Sequence, residues 1–210
     1  MWRWILLGLL LLCLELLLIV ILLDDHAVLD AMATERALTR HWVGPARAAL
    51  LEDWAQRWFN THFVHPGWVA VSYDAAIPNA AARRRAGELG EMGVNSLFPY
   101  VQGRLHVLWD TVRQLGYRLA LLRFWLLYLT PLAPAVILDG WLRRRVKLAQ
   151  FGNCSPAIHR YSLYGLLALL YGLVLSLLLP WSLPPGVLLA LPAGMLLCIG
   201  GLLANTPARV

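Results

Sequence analysis

Leu163-Tyr-Gly-Leu-Leu-Ala-Leu-Leu-Tyr-Gly-Leu-Val-Leu-Ser-Leu-Leu-Leu179, Pro180-Trp-Ser-Leu-Pro-Pro-Gly186 and Val187-Leu-Leu-Ala-Leu-Pro-Ala-Gly-Met-Leu-Leu-Cys-Ile-Gly-Gly-Leu-Leu-Ala204 follow one another and decide the fold class. The outer two runs, of 17 and 18 residues, carry no charge, and the seven residues between them include three prolines and a glycine. As helices the runs rise about 26 Å each, close to the hydrocarbon thickness of a bilayer. So short and breaker-rich a linker allows only a tight helical hairpin.

Two further apolar runs lie upstream. Leu119 to Leu138 is interrupted by Arg123, Pro131 and Pro134, and Ile5 to Leu23 is interrupted only by Glu15. The first run is too long for the apolar part of a cleaved signal, and its nearest A-x-A (Ala31, Met32, Ala33) lies ten residues beyond Leu23, so it reads as an anchor. Of the 210 residues, 60% are hydrophobic, 14% are charged and 49 are leucine, against about 45–50% apolar and about 25% charged in soluble domains. That excludes a simple globular enzyme, a disordered chain and a disulfide scaffold. Cys13, Cys154 and Cys198 are odd in number and share no CxxC spacing, so they read as small apolar side chains. The expected fold class is an all-α integral membrane protein of four transmembrane helices, with a mainly helical extramembrane region between the first and second. The expected divisions are a 1–23 anchor, a 24–118 outer region, a 119–138 span, a 139–162 basic loop and a 163–210 hairpin with a short tail.

Charge sets the orientation. Arg143, Arg144, Arg145, Lys147 and Arg160 face only Asp139 between the second and third spans, whereas residues 24–118 hold ten acidic residues and ten arginines. The positive-inside rule puts the 139–162 segment and both termini in the cytoplasm, and the outer region in the periplasm.

Within the outer region, Val28, Met32 and Leu38 fit an amphipathic helix ended by Gly44-Pro45. Leu50, Leu51, Trp54, Trp58 and Phe59 mark a second helix, and Leu105, Leu108, Val112 and Leu115 a later one with Pro99 in its first turn. Trp68 to Tyr73 has the composition of a short strand, although a lone strand has nothing to pair with. The outer region reads either as a compact helical domain or as helices resting on the membrane surface.

Few residues carry chemistry. Glu15 is costly in lipid unless protonated or paired. It lies about 12 Å, and Arg123 about 6 Å, below the outer membrane face by helical rise, so the two can pair; alternatively Arg123 snorkels and Glu15 is protonated. His62-x-x-His65 has a metal-site spacing but no neighbouring Glu or Cys. No span contains a histidine to ligate haem, and hydrolase, phosphate-loop and CxxC signatures are absent. The expectation is a protein without enzymatic activity, cofactor or metal. Arg143, Arg144, Arg145, Lys147 and Arg160 set topology and suit anionic headgroups or an acidic protein partner, whereas five charges make a poor DNA site. Gly165, Ala168 and Gly172 in the third span, and Gly186, Ala190 and Gly194 in the fourth, form small-residue stripes that let helix backbones approach. A small transporter, channel or holin-like pore is the alternative, but it needs polar faces on several spans, and these two offer only Ser162, Tyr164, Tyr171 and Ser176.

From about Leu129 onward the chain resembles an uncharacterised family of membrane proteins encoded in integrating conjugative elements. The resemblance rests on Leu138-Asp139-Gly140-Trp-Leu-Arg143-Arg144, Phe151-Gly152, Ser155 and His159, Leu179-Pro-Trp-Ser182, and Ala204-Asn205-Thr206. This chain departs from the family's glycine-rich cytoplasmic stretch with paired histidines, keeping only Gly152, Cys154 and His159 there. The resemblance implies an inner-membrane component of a conjugative type IV secretion system, beside the coupling ATPase that delivers DNA. It carries over no catalytic residue.

The orientation is checked by cysteine labelling in a background lacking other reactive thiols. A cysteine at Ala80 is expected to react with an impermeant maleimide in intact spheroplasts, and one at Gln150 only after lysis. The reverse pattern inverts the topology.

Overall fold

The computed structural model describes residues 25–77, 98–150, 155–179 and 181–206. Glu15 and the rest of the Ile5–Leu23 run lie outside the described residues, as do 78–97. The elements are α1 (Asp25–Val43), α2 (Pro45–Phe59), a π-helical turn (Asn60–Val64), α3 (Trp68–Ala76), α4 (Phe98–Leu129), α5 (Leu132–Ala149), α6 (Pro156–Leu178) and α7 (Pro185–Ala204). No strand occurs among the described residues. They fall into two compact units: one runs to Ala120 and takes in Leu178–Ser182, and the other comprises Leu121–Leu177 and the chain from Leu183 onward.

In the first unit, α1 buries Val28, Met32, Glu35, Thr39 and Val43, one face at helical spacing. Gly44, at φ +86°, reverses the chain, and Pro45 opens α2 at a position where a missing N–H costs nothing. Ala48, Leu51, Ala55 and Phe59 form the buried face of α2. The π turn closes with His65 N–H donating to Asn60 O at 2.8 Å, and it brings Phe59 and Phe63 within 5.7 Å of each other. Both rings meet Trp109 of α4, at 6.2 and 5.7 Å between centroids. Gly67, at φ +83°, then starts α3, where the sequence pattern suggests a strand. With no neighbouring strand to receive its backbone groups, the segment satisfies them as a helix, and Trp109 Nε1–H donates to Ser72 Oγ at 3.0 Å. The described residues of this unit therefore pack as helices around α4, which is touched by α1, α2, the π turn and α3.

The buried stripe of α4 is Val107, Thr111, Gln114 and Arg118, with Tyr117 beside it. Leu105, Leu108, Val112 and Leu115, the face that hydropathy selects, are only half-buried. Gly116 sits under Trp58; a Cβ there would lie 2.6 Å from its Cε3.

In the second unit, the run expected to continue from Leu119 to Leu138 breaks at Thr130-Pro131, and α4 and α5 meet at a 53° bend. Pro131 has no N–H for the carbonyl one turn back and its ring crowds that carbonyl, whereas Pro134 falls in the tolerant first turn of α5. The stretch read as a basic loop from Asp139 is helical through Ala149. Among the described residues, α6 and α7 are long and apolar enough to cross a membrane, with mean hydropathies of 1.9 and 2.3. If α4 and α5 form one broken span, the candidates number three.

Glycines govern how α5, α6 and α7 pack. A Cβ on Gly140 would lie 2.8 Å from Gly200 O, one on Gly200 would lie 2.9 Å from Val136 Cγ1, and one on Gly201 would meet Ser162 Oγ at 2.8 Å. Gly165 faces Cys198 and Gly194 faces Leu169, at 3.2 and 3.1 Å for the added Cβ, while Gly172 has ordinary room beside Leu191. Ala168 and Ala190 are exposed and Gly186 is half-buried.

Gly140→Ala is therefore expected to force α5 away from α7, at a cost of about 1–3 kcal/mol. Gly172→Ala, with its nearest neighbour at 3.6 Å, should be nearly silent. Melting temperature of the detergent-solubilised protein separates the two, and equal melting would contradict the close α5–α7 contact.

Candidate functional site

Three polar arrangements stand out among the described residues, each built by side chains that distant segments bring together. The first is a buried ion pair. Glu35 on α1 and Arg118 on α4 are each 1% exposed. Arg118 Nη2 donates to Glu35 Oε2 at 2.6 Å, and its Nε donates to Oε1 at 3.0 Å. The same guanidinium donates through Nη1 to Leu179 O and through Nη2 to Trp181 O, in the turn after α6. One cation thus satisfies a carboxylate and two carbonyls at a helix end, where such oxygens lack intrahelical donors. Beside it, the Thr39 hydroxyl donates to Glu35 O at 2.9 Å, and Arg36 lies over the Tyr117 ring at 5.9 Å. Burial pushes the Tyr117 phenol above its ordinary pKa, with the Thr39 hydroxyl and the Arg36 charge partly offsetting this.

The second arrangement is a cavity of about 420 Å³ in the same unit, lined by Arg36 of α1, Glu52, Asp53 and Gln56 of α2, and Arg113 and Tyr117 of α4. Arg113 lies over Phe59 at 5.3 Å and pairs with Asp110 through Nη1 at 3.2 Å. Glu52 and Asp53 pair with Arg40 and Arg57, each at 3.0 Å.

The third is the basic segment of the second unit. Lys147 Nζ donates to Asn205 Oδ1 at 2.7 Å and to Ala204 O at 3.4 Å, so it caps the C-terminus of α7. Asn205 is oriented by its own amide, which donates to Gly201 O at 2.9 Å. Arg143 pairs with Asp139 at 2.8 Å, one turn back and largely in solvent, and Arg145 lies 4.7 Å over the exposed Trp141 ring. Arg144 is half-buried and Arg160 is exposed. The five basic residues therefore differ in role: Lys147 holds the helix end, while Arg143, Arg145 and Arg160 face outward. Arg123 is exposed on α4, and its proposed partner Glu15 lies outside the described residues. His62 Nδ1 lies 2.8 Å from Trp58 O, and its ring stacks obliquely on Trp58. No group of three or more metal-ligating side chains converges among the described residues.

Hydropathy and motif reading missed the Glu35–Arg118 pair, because its members are 83 residues apart and both look like solvated charges. The only signal was Arg118 standing immediately before an apolar run, where a cation needs a partner or a route to water.

Removing one member of this pair leaves a buried charge uncompensated, so Glu35→Leu is expected to cost about 3–5 kcal/mol. Adding Arg118→Met to it should recover part of that loss, since no bare charge then remains. Melting of the single and double variants in detergent tests this; a double variant as unstable as the sum of both singles would argue against a coupled pair.

A family model described as IncC plasmid conjugative DNA transfer protein DtrJ-like matches residues 25–200. No curated protein and no solved structure matches the chain.

Proposed function

The chain belongs to the DtrJ-like family of conjugative DNA transfer proteins, and from that premise we propose that it is a four-span component of a bacterial inner membrane, with both termini in the cytoplasm. Its role in the transfer apparatus is structural and interactive rather than enzymatic. It belongs to a type IV secretion assembly and sits beside the coupling ATPase. The observation that carries this reading is the α5 helix end, which Lys147 anchors to the terminus of α7 so that Arg143 and Arg145 project from a fixed base. Cations held in this way suit anionic headgroups or an acidic protein face better than the same charges on a mobile loop, because less side-chain and backbone freedom is lost on contact. Exposed Trp141, Leu142 and Val146 surround them, the apolar and aromatic company expected where a helix leaves the bilayer.

Changing Arg143 and Arg145 together to Gln leaves Arg144, Lys147 and Arg160 to hold the orientation. Conjugative transfer frequency in a mating assay is expected to fall more than tenfold, as two lost contacts of about 1 kcal/mol each imply, while cysteine labelling reports normal insertion. Normal transfer with normal insertion would reduce the cluster to a topological signal.

A further inference from the structure

The contacts of the first unit define which of its ends meets the apolar part of the chain. At Leu119 the sequence of α4 passes from Arg113, Gln114 and Arg118 into its apolar run. Arg118 also holds Leu179 and Trp181 of the turn that joins α6 to α7, the two most apolar helices. α1 runs beside α4 in the same direction: Val28 and Met32 close on Val107, then Glu35 meets Arg118, and the Thr39 hydroxyl is hydrogen-bonded to Tyr117. α2 runs back again, with Trp58 over Gly116 and Phe59 against Trp109. The α1–α2 corner at Gly44 therefore lies at the Arg118 end of the unit. The exposed Trp68 and Val71 of α3 lie toward the opposite end, where Ser72 receives Trp109. Tyr100 is farther still, about 27 Å from Arg118 by helical rise.

At the corner Trp42 is 55% exposed, and Trp181, in the turn that Arg118 holds, is 73% exposed. Indole rings left on the surface favour the boundary between hydrocarbon and headgroups, where the ring is desolvated and its N–H still finds an acceptor. The acidic residues of α2 are already matched, Glu52 by Arg40 and Asp53 by Arg57. The exposed Arg47, in the first turn of α2, is left to meet a phosphate. We infer that the α1–α2 corner rests in the headgroup layer of a phospholipid bilayer, with Trp42 at the edge of the acyl chains and Arg47 on a lipid phosphate. Position selects lipid as the occupant: Trp42 stands one helical turn beyond Thr39, level with the change of α4 from polar to apolar side chains. The inference rests on the membrane-spanning reading above and adds to it an attachment made by a surface corner rather than by a span.

The test is fluorescence quenching in the full chain, with Cys13, Cys154 and Cys198 changed to Ser, in nanodiscs of phosphatidylcholine and phosphatidylglycerol. Ala46→Cys at the corner, Tyr100→Cys at the far end and Leu197→Cys on the exposed side of α7 each carry an NBD fluorophore. The lipid carries a doxyl quencher either near the headgroup or deep in the acyl chain. The shallow quencher is expected to dim the Ala46 label more than the deep one does, the deep quencher to dim the Leu197 label more, and neither to dim the Tyr100 label. Trp42→Ser combined with Arg47→Gln, both at exposed side chains, should remove about half of the quenching at Ala46 or more and leave Leu197 unchanged. Failure of the deep quencher at Leu197 would overturn the spanning reading and this inference with it. Normal quenching at Leu197 with none at Ala46 would overturn the lipid contact alone; a blue-shifted Ala46 emission in that case would show a second copy of the chain covering the corner. Equal quenching at Ala46 and Tyr100, or unchanged quenching in the double variant, would likewise overturn it.

Discussion

The Arg118 guanidinium is the constraint on which the first unit depends. An arginine cannot shed its charge, so a side chain 1% exposed must have its N–H donors met inside the protein. Glu35 supplies the countercharge from α1, and Leu179 and Trp181 supply carbonyls from a turn some sixty residues later. Burial of Val28, Met32 and Val107 adds the apolar closure between α1 and α4, but that contact is non-directional and tolerates sliding. A fork of donors meeting a carboxylate and two carbonyls does not. It sets the register of α1 on α4 to a single turn, and with it the position of Arg36 and Tyr117 on the wall of the cavity.

What the sequence makes legible follows from which forces are local. Val28 and Met32 on α1, and Leu51 and Phe59 on α2, are apolar at helical spacing and are buried as that spacing implies. Leu50, equally apolar, is 67% exposed, because a helix has one inward face and Ala48 and Leu51 define it. On α4 the pattern misleads more seriously, for Thr111, Gln114 and Arg118 are buried beneath a face that hydropathy assigns to leucines. Hydropathy ranks each side chain by its own affinity for water, and it knows nothing of a carboxylate 83 residues upstream. The basic cluster was visible as a count of charges, but its helical form and the separate role of Lys147 were not, since the capping oxygens come from residues 204 and 205.

The stretches that carry the resemblance to conjugative-element proteins gain a physical meaning. Gly140 of the Asp-Gly stretch is where α5 touches Gly200, and Asp139 pairs with Arg143. Leu179 and Trp181 of the Leu-Pro-Trp-Ser stretch receive Arg118, Asn205 of the last stretch receives Lys147, and His159 Nδ1 approaches Leu202 O at 3.4 Å. These residues lie at joints between segments of the chain. The DtrJ-like family is described from an IncC plasmid, so conjugation is what that family and the resemblance have in common.

The cap of Lys147 on Asn205 also orders events during synthesis. The two residues are 58 positions apart, and Arg118 precedes its carbonyl acceptors by 61 and 63. A ribosome adding about 5–20 residues per second leaves roughly 3–12 s between the appearance of each cation and that of these downstream oxygens. Through that interval Arg118 has Glu35 as its countercharge but neither carbonyl, and Lys147 lacks the helix end that it caps. Completion of the C-terminal hairpin is therefore the step that finishes both polar joints.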